Sequence, residues 1–573
     1  MTMIGTFATI AWALASSVIA TPRGSIELET ATLLPTQWKD IGRAPPHANL
    51  ELTFAVKQTR VPLLKEFVLR ASDPDHVSYG HWLSLQAVND FISPTKEAVM
   101  SVSDYLRSFG VNAFESTSNN DFIKSIVRVD LAELLLNTEF RLFQHVSTNR
   151  TVVRTLGPYS LPTQVATHVD FVAPTVRFPR TNARLRDGVE PLPSNTRSNS
   201  KASDDVTPSV LRQFYQVGDV EGTLGKQAFP GFLEQYWAQS DLDAYWTKFY
   251  PKATGRTITV RGLNNQTNAG IEATTDVQYL SAMGGGVPTE FWSFPGRAPD
   301  PSGKEPDNEP FLDWLFTVSN TSDADVPKVF STSYADSEFI VSAAYANRVD
   351  TEFVKAAARG ISMLFGSGDT GVSHDGSCPR DGQFSGQWPA GSPWTTGVGG
   401  TTGGFPGSYE KTEKVWEGSG GGFSNFWSRP AYQTTAVATY FATVPKNRLP
   451  VAEHYNATGA GFPDVAAQAN NYQVVRDGRT VPVAGTSCAC PTVAGIVSLL
   501  NSVRLAANKS TLGFLNPLFY KNAGVFNDVT SGANKAGTGC GNIGFSAEVG
   551  WDPVTGLGSP NYPKLLELVN SLP

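Results

Sequence analysis

The spacing of apolar and polar positions divides the chain into two regions with different periods. Between about residues 36 and 178, short segments of each kind alternate. Residues 62–69 and 94–106 carry apolar side chains at helical spacing. Ile126-Val127-Arg128-Val129 and Phe140-Arg141-Leu142-Phe143 predict strands, with a helix over 131–136 between them. This alternation describes a small α+β domain. Beyond residue 206 the units are longer. Strands are expected over 257–260, 328–331 and 361–365, and helices over 241–249, 343–360 and 487–505. Strand–helix alternation of this kind implies a largely parallel sheet. Residues 180–205 fit neither pattern. Arg184, Arg186, Arg197 and Lys201 stand there among Pro, Ser, Asn and Asp, a composition that cannot bury a core and reads as an exposed linker open to processing.

Residues 4–20 are apolar without a charge and end in Val18-Ile19-Ala20, which predicts a secretory signal over 1–20. The segment before it has no Lys or Arg, so a signal-anchor helix is the alternative. No later segment is expected to be long and apolar enough to cross a membrane. The division is then signal 1–20, an N-terminal domain 21–179, linker 180–205 and a large domain 206–573. Asn149, Asn265, Asn320, Asn456 and Asn508 begin N-glycosylation sequons, which agrees with export to the extracellular space. The net charge of −7, without a basic stripe, argues against nucleic acid as a partner. Charged residues make up 17% of the chain, below the ~25% of typical soluble domains, a charge-poor surface that tolerates acid. The four cysteines predict one or two disulfides in a secreted chain, and their spacing does not resemble a zinc ribbon. Cys488 and Cys490 stand two apart on one predicted helix, point in different directions and read as buried free thiols.

Candidate chemistry begins at Gly485-Thr486-Ser487, a turn opening an apolar helix. It offers a hydroxyl beside the partial positive charge of a helix N-terminus, although a plain N-cap has the same sequence. A serine nucleophile needs a base. Only His374 and His454 follow the linker, and neither has a catalytic setting. Carboxylates serve better. Glu272 and Asp276 are spaced i, i+4, so on a helix they are neighbours that can share a proton. A solvated helical face is the competing reading, against which Ile271, Val277, Tyr279 and Leu280 suggest burial. Asp369, in the Gly-rich turn after the 361–365 strand, is either a turn residue or, when protonated, a hydrogen-bond donor to an oxyanion.

In this order, Glu272-x-x-x-Asp276, Ser367-Gly368-Asp369 and Gly485-Thr486-Ser487 through Pro491 resemble the sedolisin family of serine-carboxyl peptidases, and within it the secreted fungal tripeptidyl-peptidases. The resemblance implies a subtilisin-like α/β fold, with a largely parallel sheet flanked by helices, preceded by a ferredoxin-like α+β propeptide. It implies Ser487 as nucleophile, Glu272 as general base and acid, Asp276 as its partner and Asp369 as the oxyanion acid. Residues 71–74 and 79–82 resemble the family's inhibitory propeptide, and 206–211 the start of the mature enzyme. The Ser419–Ser424 run also fits, its glycines letting substrate backbone approach. The C-terminal segment resembles a calcium site for one structural ion: carboxylates of Asp528 and Asp552 with carbonyls of Val529, Glu548 and Gly550. Glu548 stands where a glycine is familiar. Cys378 with Cys540 is the disulfide that the resemblance suggests. The resulting expectation is a secreted, monomeric proenzyme, activated in acid, that acts on peptides and proteins and releases N-terminal tripeptides. An endopeptidase of the same family and a catalytically silent binding protein are the alternatives.

Overall fold

Seven parallel strands and one antiparallel strand form the sheet around which the C-terminal region is built. The computed structural model describes residues 24–30, 38–146, 149, 151–178, 190–191, 204–294, 311–372, 383–535 and 544–573. The predicted signal, most of the linker, His374, Cys378 and Cys540 lie outside the described residues. Across the sheet the order is Thr259–Arg261, Thr289–Phe294, Gln227–Phe232, Val329–Thr332, Ser362–Gly366 and Thr396–Thr402. The last strand also pairs with Val465–Gln468 in parallel and with Lys414–Val415 antiparallel. Three of these strands coincide with the expected ones. The central Gln227–Phe232 was not expected; it contains Pro230 and Gly231, yet all six residues are buried.

Two helices carry Ser487 and the Glu272–Asp276 pair. Thr486–Ala506, the serine helix, is 21 residues long and has the length and composition to cross a membrane, contrary to the sequence expectation; 89% of its most apolar window is buried within the protein, as in a core helix. Pro491 lies inside it. A proline there lacks the N–H that would bond the carbonyl of Ser487, which releases the first turn from the helical ladder. Ile271–Met283, the carboxylate helix, is buried at every residue. It is pressed against the serine helix, where a Cβ on Gly495 would lie 2.6 Å from the Met283 Cβ. The Tyr472–Arg476/Arg479–Ala484 hairpin closes its other side: the Gln278 side chain bonds both the N–H and the carbonyl of Val475, and the Tyr279 hydroxyl donates to the Gln473 carbonyl.

The N-terminal domain folds on a four-stranded antiparallel sheet in the order Glu115–Ser116, Phe122–Arg128, Asn49–Val56, Val169–Ala173. Helices Val61–Ser72, Lys96–Ser108 and Val129–Leu136 flank it. Thr95 caps the second by accepting from Ala98 N–H at 3.1 Å. Leu52, Phe54, Val102, Leu106 and Leu135 belong to its own core. Its other face shares a core with the large domain, where Leu64, Val68, Phe122 and Phe171 join Phe330, Phe353 and Phe365. Charge is buried in that contact. Asp121 meets Lys355 at 2.7 Å and Arg348 at 3.1 Å, both cations also pair with Glu352, and the Arg348 guanidinium lies 4.1 Å from the Phe122 ring centroid. Burial opposes the Asp121 charge, but Lys355 and Arg348 prevail and hold its carboxyl well below the usual range. Farther along, Trp82 seats on Gly360 and Gly513, where a Cβ would approach its ring to 2.4 and 2.3 Å. Where the linker is described it is engaged: Glu190–Pro191 pairs antiparallel with Ala484 and Val483, and Asn471 Nδ2 donates to the Asp204 carbonyl.

Candidate active site

Ser487 is 3% exposed on the first turn of the serine helix. The turn before it is fixed by Asp369, whose Oδ1 accepts from the Thr486 N–H at 2.6 Å and from the Thr486 hydroxyl at 2.8 Å. Thr486 Oγ1 in turn accepts from the Gly368 N–H at 3.1 Å. The two loops that the sequence singled out are therefore interlocked at the C-terminal end of the Ser362–Gly366 strand. Open α/β sheets place ligands at that end.

Glu272 and Asp276 are each 0% exposed, which removes the solvated-face reading. The Glu272 N–H points to Gln235 Oε1 at 3.3 Å, and the Gly270 before it leaves space for that glutamine, since a Cβ there would lie 1.8 Å from the same oxygen. Asp276 Oδ1 accepts from the Ser333 hydroxyl at 2.8 Å. Burial raises the Asp276 carboxyl well above its ordinary range, and the Ser333 hydrogen bond only partly opposes this. The thiol of Cys488, next to Ser487, feels all three acids. Burial pushes its pKa well up, and the charges of Glu272, Asp369 and Asp276 push it further. Cys490 is likewise raised, to about 12, first by burial. Both thiols are free and buried, as the sequence implied. Such an arrangement can pass a proton between the serine turn and a carboxyl pair, and can keep an acid protonated where it must donate.

Ser333, Thr486 and Gln235 were not singled out in the sequence. Ser333 was the most accessible, since it follows the strand predicted over 328–331. The Ser419–Ser424 run has a reason beyond substrate approach. A Cβ on Gly420 would lie 1.9 Å from the Ser367 carbonyl oxygen, and one on Gly421 2.2 Å from that of Pro553. Gly420 lets the run pack on the Asp369 loop itself, its N–H donating to the Gly368 carbonyl at 2.7 Å, and Gly421 lets it pack on the C-terminal segment at Pro553. Of the two histidines, His454 stacks on Phe384 at 5.5 Å between ring centroids. A residue of the N-terminal domain reaches the same region: the Arg177 guanidinium pairs with Asp336, three residues past Ser333, and lies over Tyr345 and Trp388.

At the C-terminal loop, Asp528 Oδ2 accepts from Gly550 N–H at 2.8 Å and Asp552 Oδ2 from Glu548 N–H at 3.1 Å. Burial raises both carboxyls, Asp552 to about 8. The Glu548 side chain turns to Arg448 at 2.7 Å, which leaves its backbone as the part facing the loop. Two carboxylates among peptide groups make a hard oxygen donor set; among the described residues, no group of three His, Cys, Asp or Glu side chains is poised for a metal.

Residues 36–178 match the family described as Pro-kumamolisin, activation domain. Tripeptidyl-peptidase 1 of Canis lupus familiaris is 40% identical over 559 residues, 95% of each chain. The Homo sapiens protein of that name is 39% identical over 556 residues, again 95% of each. Among solved structures, Pseudomonas sedolisin, a serine-carboxyl proteinase complexed with two molecules of pseudo-iodotyrostatin, superposes with a TM-score of 0.50 at 23% identity, over 65% of this chain and 99% of its own, a likeness of fold. With relatives this similar along nearly its whole length and an activation domain at its N-terminus, the chain belongs to the sedolisin family and is a serine-carboxyl peptidase made as a zymogen.

Proposed function

We propose that the chain is a secreted, acid-active peptidase that releases tripeptides from free N-termini, with Ser487 as nucleophile, Glu272 as general base and acid, Asp276 as its partner and Asp369 as the oxyanion acid. One observation carries the assignment: Asp369 is bonded to the serine turn at 2.6 Å, while two fully buried carboxyls stand on the helix packed against the serine helix. Glu272 takes the Ser487 proton as Oγ attacks the peptide carbonyl. The oxyanion receives a hydrogen bond from protonated Asp369. Glu272 then returns the proton to the leaving amine, and water frees the acyl-serine by the reverse sequence. Asp276, oriented by Ser333, keeps a proton shared within the pair. Acid favours this cycle because two of its carboxyls must be protonated.

The tripeptide reading is supported by the names of the 39–40% identical relatives. The division into signal 1–20, inhibitory propeptide 21–179, processed linker 180–205 and catalytic domain 206–573 is supported by the extent of the activation-domain match. One structural Ca²⁺ would be held by the Asp528 and Asp552 carboxylates with the carbonyls of Val529, Glu548 and Gly550, tying the C-terminal loop together. Acid-treated zymogen should cleave an unblocked peptide after its third residue, and Ser487→Ala should abolish this while retaining the fold. Peptidase activity surviving in Ser487→Ala would refute the assignment. Equal cleavage of an N-terminally blocked peptide would establish endopeptidase action instead.

A further inference from the structure

A cavity of about 320 Å³ opens beside the start of the carboxylate helix, lined by Ile271 and by Arg476, Asp477, Arg479 and Val481 of the hairpin. The hairpin turns on Asp477-Gly478, both at positive φ (52° and 69°), so Arg476 and Arg479 are direct cross-strand partners. Like charges placed directly opposite destabilise a strand pair unless an anion lies between them. The counter-charge within the hairpin is slight. Asp477 is 3.7 Å from Arg476 Nε but 81% exposed, and Arg479 makes no ion pair among the described residues. Around the turn, Asp241 is already committed to the N–H groups of Asp477 and Gly478, and Lys248 donates to the Thr480 hydroxyl, adding a further cation. The hairpin tip is thus a rigid, net positive rim over an open cavity.

Its position relative to the chemistry assigns it a side of the substrate. Ile271, on the cavity wall, directly precedes Glu272, and under the role proposed above for Glu272 as acid to the leaving amine this puts the cavity on the leaving side of the substrate. Arg479–Ala484 runs from the cavity to the serine turn, and its far end already pairs with an extended segment at Glu190–Pro191. The five steps from Arg479 to Ala484 span ~17 Å, and an arginine side chain recovers ~6 Å of that, which leaves about three residues of extended peptide. We infer that Arg476 and Arg479 form a subsite for a carboxylate about three residues beyond the scissile bond, so that the enzyme favours substrates acidic, or ending, at that position. The inference rests on the peptidase reading and on Glu272 as the acid.

The test uses acid-activated enzyme and peptides that share one N-terminal tripeptide, with Glu or Gln scanned over the second to fourth leaving-side positions. Each peptide is made with a free and an amidated C-terminus, which separates side-chain from terminal carboxylate. The expected kcat/KM ratio of Glu to Gln is ~3–10 at the preferred position, the range of a partly exposed charge-assisted pair. The ratio should fall towards 1 as pH drops through ~4 and the substrate carboxyl is protonated. It should also fall to 1 in Arg476→Gln/Arg479→Gln, and Arg479→Glu should favour Lys over Glu. Because each ratio is internal to one enzyme, loss of folded protein cancels. A wild-type ratio of 1 at every position, or one unchanged in the double variant, overturns the subsite while leaving peptidase activity intact. Failure to cleave even the Gln peptides overturns the tripeptide-releasing reading and the subsite with it.

Discussion

Glu338 gives the fold a measurable preference for acid. It is 1% exposed and accepts from the Ser424 hydroxyl and from the Asn425 N–H at 2.6 Å, beneath the strand that continues the Gly-rich run. Burial raises its carboxyl from 4.5 to about 7, and the hydrogen bonds only partly offset this. The folded state therefore holds a proton that the unfolded chain releases near pH 4.5. Its contribution to stability is complete below pH ~4.5, declines as pH rises and is gone above ~7. A displacement of ~2.5 units is worth ~3 kcal/mol at ~1.4 kcal/mol per unit. Spread over a chain of this length at ~2.1 cal/mol/K per residue, that is ~3 °C in Tm. Glu338→Gln mimics the protonated acid and cannot titrate. In a Ser487→Ala background, which prevents autolysis, the two proteins should melt together at pH 4.5, and the glutamine variant should melt ~3 °C higher at pH 7.5. Parallel Tm–pH curves, or a variant that loses ground as pH rises, would refute the reasoning.

Ser333→Ala removes the one hydroxyl that opposes the raised pKa of Asp276, so the alkaline limb of the kcat/KM–pH profile should move to higher pH, with a loss of ~10-fold at the optimum. Gly420→Ala forces a Cβ against the Ser367 oxygen and should cost ~1–3 kcal/mol, read as a lower Tm and poor recovery of activatable zymogen. Asp121→Asn leaves two buried cations, Lys355 and Arg348, to share the single buried carboxylate of Glu352, a change worth up to ~3–5 kcal/mol at the contact between the two domains. That variant should activate at a higher pH on a gel time course, whereas the wild-type cluster, with Asp121 held ionised, should survive mild acid. Chelation should lower the Tm of the wild type and should have little effect on Asp552→Asn, the change that discharges the proposed calcium loop.

Much of the candidate site was legible in the chain because its chemistry is local. The i, i+4 carboxyls, the Gly-rich turn at a strand end and the Gly-Thr-Ser turn each have a signature within a few residues. The scarcity of histidine beyond the linker pointed away from an imidazole base without any structure. Helical spacing likewise located the Ala343–Ala358 and Thr486–Ala506 helices to within two residues at each end. Local signals fail where a residue is defined by its neighbour in space. Gln227–Phe232 contains Pro and Gly and does not read as a strand, yet it is central because parallel partners on both sides supply the pairing that its own propensity does not. The serine helix is apolar enough to span a membrane, and only its burial identifies it as a core helix.

The sequence by itself determined which side chains are available: a serine at a helix start, three acids in order, and a linker too polar to fold. Tertiary structure decided their state. Only packing on all sides makes Asp276 a raised acid rather than a surface carboxylate, because the cost of a charge depends on the dielectric around it and not on its sequence neighbours. Only the interlocking of two distant loops sets Asp369 against Thr486, and only the hairpin register brings Arg476 opposite Arg479.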